Sequence, residues 1–383
     1  MYFTLSLSNL KVSNNFIFNK DYIIKKHLKR KVGKIMKMKI GLIFGGMSTE
    51  NEVSVMSANS IFQNLDKTKY EVYPMYISKK GDWYRYLAQD QIEIDEKLSN
   101  TEKIGNIIEY LQALDVVFPV LHGLYGEDGT IQGLFELLKK PYVGCGVLAS
   151  SVGMDKAYTK IIFDRANIAQ APYIYLKKCK DRYTYVDKEF NEKKMQIEEA
   201  VEIIEKEIGF PAFVKPSNSG SSVGINKAKT KEELKEAIQY AGKFDNKILI
   251  EKGIQGKEVE CAVLGNEDVK ASCVGEIKPA DEFYSYDAKY QNENSRTIIP
   301  AEINEETSDE IRKLAVKAFK AIDGKGLSRV DFFVEDKTNK VYINEINTLP
   351  GFTKISMYPK LFEAVGIPYS ALLDKLIETV WDR

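Results

Sequence analysis

The sequence predicts an α/β protein with a doubly wound parallel sheet in its amino-terminal part, and three observations carry that reading. Short apolar runs alternate with segments of helical period, the pattern of strands joined by crossover helices. The chain has 383 residues, and at about 100–200 residues per domain that is room for two or three domains. It is 44% hydrophobic and 29% charged, a composition that supports a sizeable core in a soluble protein.

Residues 1–38 stand apart. They hold nine Lys/Arg against one acid, Asp21. Apolar residues precede the basic cluster and no small-residue cleavage site follows, so this is not a secretory signal. Either it is a basic, disordered extension of the kind that meets membrane or nucleic acid, or translation starts at Met36 or Met38.

From residue 39 the order is regular. Lys39–Phe44 is an apolar run ending in Gly45-Gly46, which reads as a buried parallel strand. Thr49-Glu-Asn-Glu52 has capping-box spacing and opens a helix. Tyr70–Ile77 and Asp115–Leu121 are further strands, and 129–139 is helical. This first unit is placed at 39–148. A second, at 149–252, holds a helix at Met154–Ala166, a strand at Pro211–Lys215, a Ser/Gly loop at 217–224, a helix at Lys231–Ala241 and a strand at Lys247–Glu251. The third, 253–383, has strands at Glu258–Leu264 and Val269–Ile277, a polar Tyr-rich loop, a helix at Glu305–Ile322, a hairpin at Ser328–Asn347 and a closing helix at Ser370–Trp381. Neither an internal repeat nor a low-complexity segment is present.

Charge and cysteine usage exclude several classes. The 55 basic and 55 acidic side chains balance, so global charge points to no polyanionic partner. Beyond residue 38 the balance is 46 basic to 54 acidic, which argues against nucleic acid. The four cysteines lack CxxC spacing and read as free thiols in a reducing compartment. No apolar stretch reaches the roughly 18 residues of a membrane span.

Two segments carry chemistry. In the hairpin, a turn centred on Thr338 sets Asp331 opposite Glu345 and Arg329 opposite Asn347. Strand side chains alternate faces, so all four share one face. Asp, Glu and Asn oxygens suit Mg²⁺, and Arg329 beside them suits a developing anion. A solvated face of cross-strand ion pairs is the plainer use of the same residues. The second segment is Phe213-Val-Lys215-Pro-Ser-Asn-Ser-Gly220-Ser221-Ser222-Val-Gly224, a strand running into a Ser/Gly loop. Small residues let backbone N–H groups close on phosphate, hydroxyls such as that of Ser222 add donors, and Lys215 supplies charge. The spacing is not that of a P-loop, and most Ser/Gly loops are plain surface turns.

Taken in series, these motifs resemble a known family. Gly45-Gly-Met-Ser-Thr-Glu50-Asn-Glu-Val-Ser54, Val120-Leu-His122-Gly-Leu-Tyr-Gly-Glu127-Asp-Gly129, Met154-Asp-Lys156, Val214–Gly224, Glu251–Glu258, Phe283–Tyr290, Arg329-Val-Asp331 and Glu345-Ile-Asn347-Thr-Leu-Pro-Gly351 occur in the order found in D-alanine–D-alanine ligases of the ATP-grasp superfamily. The resemblance covers 39–383. It implies a three-domain ATP-grasp fold, with ATP gripped between the second and third domains.

It also implies roles. Lys156 and Lys215 resemble the ATP-phosphate and adenine-side lysines. Glu251, Lys252 and Ile254 correspond to the adenine connector, Glu258 to the ribose-binding acid, and Lys289 to the lysine of a loop closing over the γ-phosphate. Asp331, Glu345 and Asn347 match the ligands of two Mg²⁺ ions, with Mn²⁺ as a substitute. Glu50, Ser221 and Tyr290 match a trio orienting the first D-alanine, with Glu50 on its ammonium group. Arg329 and the Gly351 N–H match the oxyanion site. His122, Ser356 and Met357 match substrate-binding positions, with Ser356 on the carboxylate of the second D-alanine. The expected enzyme is cytoplasmic, homodimeric and part of peptidoglycan precursor synthesis. It activates one D-alanine as an acyl phosphate, which the second attacks. Segment 281–296 is the expected water-excluding lid.

There are departures. Asn51 stands where the family often has His, and Thr353-Lys-Ile-Ser-Met357 where it often reads Thr-Ser-His-Ser-Leu. Tyr290 argues against D-lactate-using relatives, and apolar Met357 suits a D-alanine methyl. A D-alanine–D-serine ligase is the close alternative. A non-catalytic nucleotide-binding regulator is a distant one, since such a protein is expected to lose the metal ligands or the loop lysine.

Overall fold

The computed structural model describes residues 36–87, 90–278 and 296–382. The basic segment 1–35, Lys289, Tyr290 and nearly all of the expected lid lie outside the described residues.

The first unit contains β1 (Met38–Gly45), α1 (Asn51–Asn64), β2 (Tyr70–Ile77), β3 (Trp83–Tyr86), β4 (Thr101–Lys103), α2 (Ile107–Gln112), β5 (Val116–Pro119) and α3 (Thr130–Leu137). Its sheet runs β4-β3-β2-β1-β5. β1 lies parallel to β2 and β5, as the buried apolar runs require, while β3 and β4 extend the edge antiparallel. A tight turn explains the change of sense, because Gly81 N donates to Ser78 O at 2.9 Å and so short a link permits only a hairpin. The expected capping box does not form. α1 starts at Asn51 with Glu50 in the cap position and no side-chain cap bond. Glu52 instead reaches Lys79 at 3.2 Å, and the Glu50 carboxylate accepts the Ser221 hydroxyl.

The second unit contains α4 (Val147–Met154), α5 (Lys156–Arg165), β6 (Tyr173–Cys179), β7 (Arg182–Val186), β8 (Glu192–Met195), α6 (Ile197–Glu207), β9 (Ala212–Pro216), β10 (Asn226–Ala228), α7 (Lys231–Ala241) and β11 (Lys247–Lys252). The helix expected at Met154–Ala166 is α5, which starts two residues later at Lys156, and a separate helix, α4, precedes it. Asp155 has extended backbone (φ −85°, ψ 93°) and caps α5 by accepting from Tyr158 N at 3.2 Å. The sheet order β10-β9-β11-β6-β7-β8 is antiparallel at every pairing.

The third unit contains β12 (Gly256–Gly265), β13 (Lys270–Lys278), β14 (Arg296–Ile298), α8 (Glu305–Ala321), β15 (Gly326–Glu335), β16 (Val341–Asn347), α9 (Met357–Glu363) and α10 (Tyr369–Thr379), with sheet order β14-β13-β12-β15-β16. The predicted pairs Arg329–Asn347 and Asp331–Glu345 stand in register. A bulge follows Asp331, so Phe332 faces Ile343 and Asn344 is the extra residue.

Packing crosses the unit boundaries. Ile40, Phe118 and Phe352 share one core with Leu361, Leu372 and Leu376 from α9 and α10. α5 sends Phe163 into the core of the third sheet and Ala157 against Tyr175 and Leu249 of the second. It thereby forms the floor between two sheets, where a cleft opens. Among the described residues no helix is long and apolar enough to cross a membrane.

Candidate active site

The cleft is built from both sheets and from α1. At its amino-terminal end, Glu50 is buried and accepts the Ser221 hydroxyl across 171 positions of sequence. Two glycines make room for that carboxylate. A Cβ on Gly123 or Gly220 would lie 2.5 or 2.7 Å from Glu50 Oε2. Glu127 stands beside Glu50 and accepts from Gly123 N at 2.9 Å. Burial, reinforced by the Glu50 charge, pushes the Glu127 carboxyl up to about 8.

The Ser/Gly loop is stapled to the start of α5. Asp155 accepts from Ser217 Oγ at 2.7 Å and pairs with Lys247, while Ala157 N donates to Ser217 Oγ at 3.0 Å. Burial opposes ionisation of Asp155, but Lys247 and Ser217 outweigh it and hold its carboxyl below the ordinary value. Lys156 donates to Ser219 O at 2.7 Å and stands 3.4 Å from Glu345 Oε2. Ser221 and Ser222 hold left-handed backbone, φ 48° and 61°, a strained conformation of the kind that concentrates at ligand sites.

Beyond the loop lies a cavity of about 720 Å³, lined among others by Lys215, Ser222, Glu251, Lys252, Ile254 and Glu258. Its wall holds a buried charge cluster. Glu251 lies 2.6 Å from Lys160 Nζ and 2.8 Å from Lys215 Nζ. Burial alone would raise the Glu251 carboxyl, but the two ammonium groups hold it at about 2. Lys215 is raised in turn, because Glu251, Glu345 and Glu258 overcome its own burial. It also reaches Asn344, the bulge residue, at 3.2 Å. Lys252 also lines the cavity, and its ammonium group donates to Phe210 O at 2.7 Å.

The oxygen donors sit across three strands. Glu260 pairs with Asp331, and Asp331 with Glu345. Arg329 forks onto Asp331 at 2.8 and 2.7 Å and reaches Glu260 at 3.1 Å. The flanking carboxylates outweigh burial and raise the Arg329 pKa, keeping it charged. Asn347 Nδ2 donates to Asp331 Oδ2 at 3.0 Å, which leaves its Oδ1 as an acceptor. A carboxylate offers about four lone-pair positions, so Asp331 can accept from Arg329 and still bind a cation. Among the described residues no three of His, Cys, Asp and Glu gather as a metal site. Asp331, Glu345 and Asn347 offer two carboxylates and an amide oxygen, donors of the kind that would suit a hard divalent ion.

Gly351, Ser356 and Met357 line the same cleft as Glu50, His122, Arg329 and Asp331. Ser356 Oγ lies 2.8 Å from Thr353 Oγ1, and Met357 is buried. His122 is buried with both ring nitrogens engaged, at 3.1 Å from Leu349 O and 3.0 Å from Ser57 Oγ. The four cysteines are free, and none lines the cleft.

Sequence reasoning missed Asp155, Lys160 and Glu260. Signals existed for each: Asp155 lies inside Met154-Asp-Lys156, Lys160 is one helical turn after Lys156, and Glu260 shares a strand face with Glu258.

Two sheets facing across a nucleotide-sized cavity, with lysines on one and oxygen donors on the other, define an ATP-grasp enzyme. Residues 39–145 match the model of the D-ala D-ala ligase N-terminus and 162–378 that of the C-terminus. A D-alanine–D-alanine ligase of Acetivibrio thermocellus is 51% identical over 375 residues, covering 91% of this chain and 96% of its own. Among solved structures, the VanG D-Ala:D-Ser ligase of Enterococcus faecalis is 36% identical with a TM-score of 0.77, covering 90% of this chain and all (100%) of its own. A D-alanine–D-alanine ligase of Bacillus anthracis complexed with ATP is 32% identical with a TM-score of 0.69, covering 90% and 98%. The chain belongs to the D-alanine–D-alanine ligase family.

Proposed function

We propose that the residues gathered in this cleft divide the work of ATP-dependent D-alanyl-D-alanine synthesis as follows. The enzyme joins two D-alanines with ATP, a step of peptidoglycan precursor synthesis. Glu50 binds the ammonium group of the first D-alanine, and Ser221 orients it. Support comes from the part-buried Glu50–Ser221 bond in a seat that two glycines keep open. Tyr290, the third member of that trio, and Lys289 are proposed from the sequence motif alone.

A carboxylate is a poor electrophile, so its oxygen must first take the γ-phosphoryl group. Lys156, Ser222 and the loop N–H groups hold the phosphates, and Lys215 is the adenine-side lysine; support comes from Lys156 on Ser219 O and from Lys215 and Ser222 lining one cavity. Glu251, Lys252 and Ile254 border the adenine, and Glu258 the ribose. Asp331, Glu345 and Asn347 would hold two Mg²⁺ ions, or Mn²⁺. A bound cation offsets phosphate charge during transfer.

The second D-alanine binds with its carboxylate at Ser356 and its methyl against Met357, and His122 belongs to the substrate site. Its amine attacks the acyl carbon and phosphate leaves. Arg329 and the Gly351 N–H stabilise the oxyanion, a contact worth about 2.7–4 kcal/mol per donor. We further assign units at 39–148, 149–252 and 253–383 after an extension of 1–38, a homodimer, and a cytoplasmic location.

The observation carrying this reading is the convergence of Glu50, Lys156, Arg329, Asp331 and Gly351 on one cleft from segments far apart in sequence. Phosphate release from ATP is measured with D-alanine, with D-serine, and with D-alanine plus D-serine or D-lactate. D-alanine alone should support turnover. A preference for the mixed D-serine product would overturn the role given to Met357, and no D-amino-acid-dependent release would overturn the assignment of roles.

A further inference from the structure

The short run Leu349-Pro-Gly-Phe352 carries the Gly351 N–H, and it is pinned at both ends by one pair of side chains from the first unit. His122 Nδ1 is 3.1 Å from Leu349 O, and a carbonyl can only accept, so Nδ1 bears the proton. His122 is buried, and that desolvation lowers its pKa despite the nearby Glu50, which favours the neutral ring. Nε2 is then an acceptor, and it takes the Ser57 hydroxyl hydrogen at 3.0 Å. Ser57 Oγ in turn accepts from Phe352 N at 3.2 Å. The chain of bonds thus leaves the run at Leu349 and returns at Phe352, enclosing Pro350 and Gly351. The pair is itself anchored: Ser57 lies on α1 with no exposure, and the His122 carbonyl accepts from Ser48 Oγ at 2.6 Å.

We propose that Ser57 and His122 are positioning residues that set the Gly351 N–H at the oxyanion, with His122 locked as the Nδ1–H tautomer rather than exchanging protons with substrate. This rests on the oxyanion role given to Gly351. An N–H aimed at a developing charge helps only if it is held before the reaction, and a run containing glycine cannot hold itself.

The chain contains two histidines, His27 and His122, so ¹⁵N-histidine labelling gives two rings, and His122→Asn identifies the second. The expected spectrum shows His122 neutral with its proton on Nδ1. A proton on Nε2, or on both nitrogens, would overturn the lock. In Ser57→Ala, kcat should fall about 10- to 100-fold, the cost of an ångström-scale misplacement, with KM for ATP unchanged. A wild-type kcat in that variant would overturn the positioning role. Asn at 122 can place its amide N–H near the Nδ1 position and keep the bond to Leu349, whereas Gln reaches toward Nε2. His122→Asn should therefore retain more of kcat than His122→Gln. Equal loss in both would point to an imidazole acting on substrate and overturn the proposal. Failure of the underlying reading is separate, because wild type would then release no D-alanine-dependent phosphate. The spectrum of the wild type and the Asn–Gln order remain decisive if Ser57→Ala does not fold.

Discussion

The Ser217 hydroxyl donates to Asp155 Oδ1 at 2.7 Å across 62 positions of sequence, fastening the Ser/Gly loop to the helix that carries Lys156. Asp155 also caps α5 and pairs with Lys247. Asp155→Ala should cost about 1 kcal/mol through the lost cap alone, and more through the stranded Lys247. KM for ATP should rise while the KM values for D-alanine change little. A lower melting temperature with an unchanged KM for ATP would reduce Asp155 to a structural cap.

Glu251 binds two buried ammonium groups, so Glu251→Gln should be strongly destabilising, by about 3–5 kcal/mol in urea unfolding. The pH sign follows from its depressed pKa, 4.5 to about 2. The stabilisation is present above pH 4.5 and is lost as pH falls toward about 2. Wild type should therefore lose more stability than the Gln variant on acidification. Parallel acid profiles would contradict the cluster.

Glu127 titrates with the opposite sign. Its carboxyl is raised from 4.5 to about 8, so the stability linked to it is complete below 4.5 and is lost as pH rises through about 8. Glu127→Gln keeps the acceptor for Gly123 N and cannot ionise. As pH rises from 4.5 to about 8 the melting temperature of wild type should decline relative to that of the variant, and above that the difference should level off. Identical profiles would show that Glu127 is already ionised at neutral pH.

Asp331→Asn removes a proposed metal oxygen and one partner of Arg329. The Mg²⁺ concentration giving half-maximal rate should rise at least about tenfold, by comparison with losses at outer-shell positions. Isothermal titration with Mg²⁺ and a non-hydrolysable ATP analogue checks this without turnover. An unchanged Mg²⁺ requirement would remove Asp331 from the ligand set.

Much of this protein was legible in its sequence. The apolar run Lys39–Phe44 forms a parallel strand because only burial on both faces suits it. Period-two alternation placed Arg329, Asp331, Glu345 and Asn347 opposite one another, and the register agrees. The errors came where a local pattern competed with a distant partner. Thr49–Glu52 has capping-box spacing, yet Glu50 turns to Ser221. The helix expected to start at Met154 starts at Lys156 instead, because Asp155 caps it while holding Ser217 and Lys247. The bulge after Asp331, which leaves Asn344 beside Lys215, has no local signature.

By itself the sequence determined the α/β class, the order of the units and the identities of most side chains in the cleft, because periodicity and motif spacing are local properties of a chain. Tertiary structure alone decided what those groups do to one another. It put Lys160 and Lys215 on Glu251, Glu260 on Arg329, and Ser57 with His122 around Gly351. Those contacts join segments up to 295 positions apart, as from Ser57 to Phe352. Burial then fixes their charge and tautomer, and burial is set by packing between units that the linear pattern of residues does not encode.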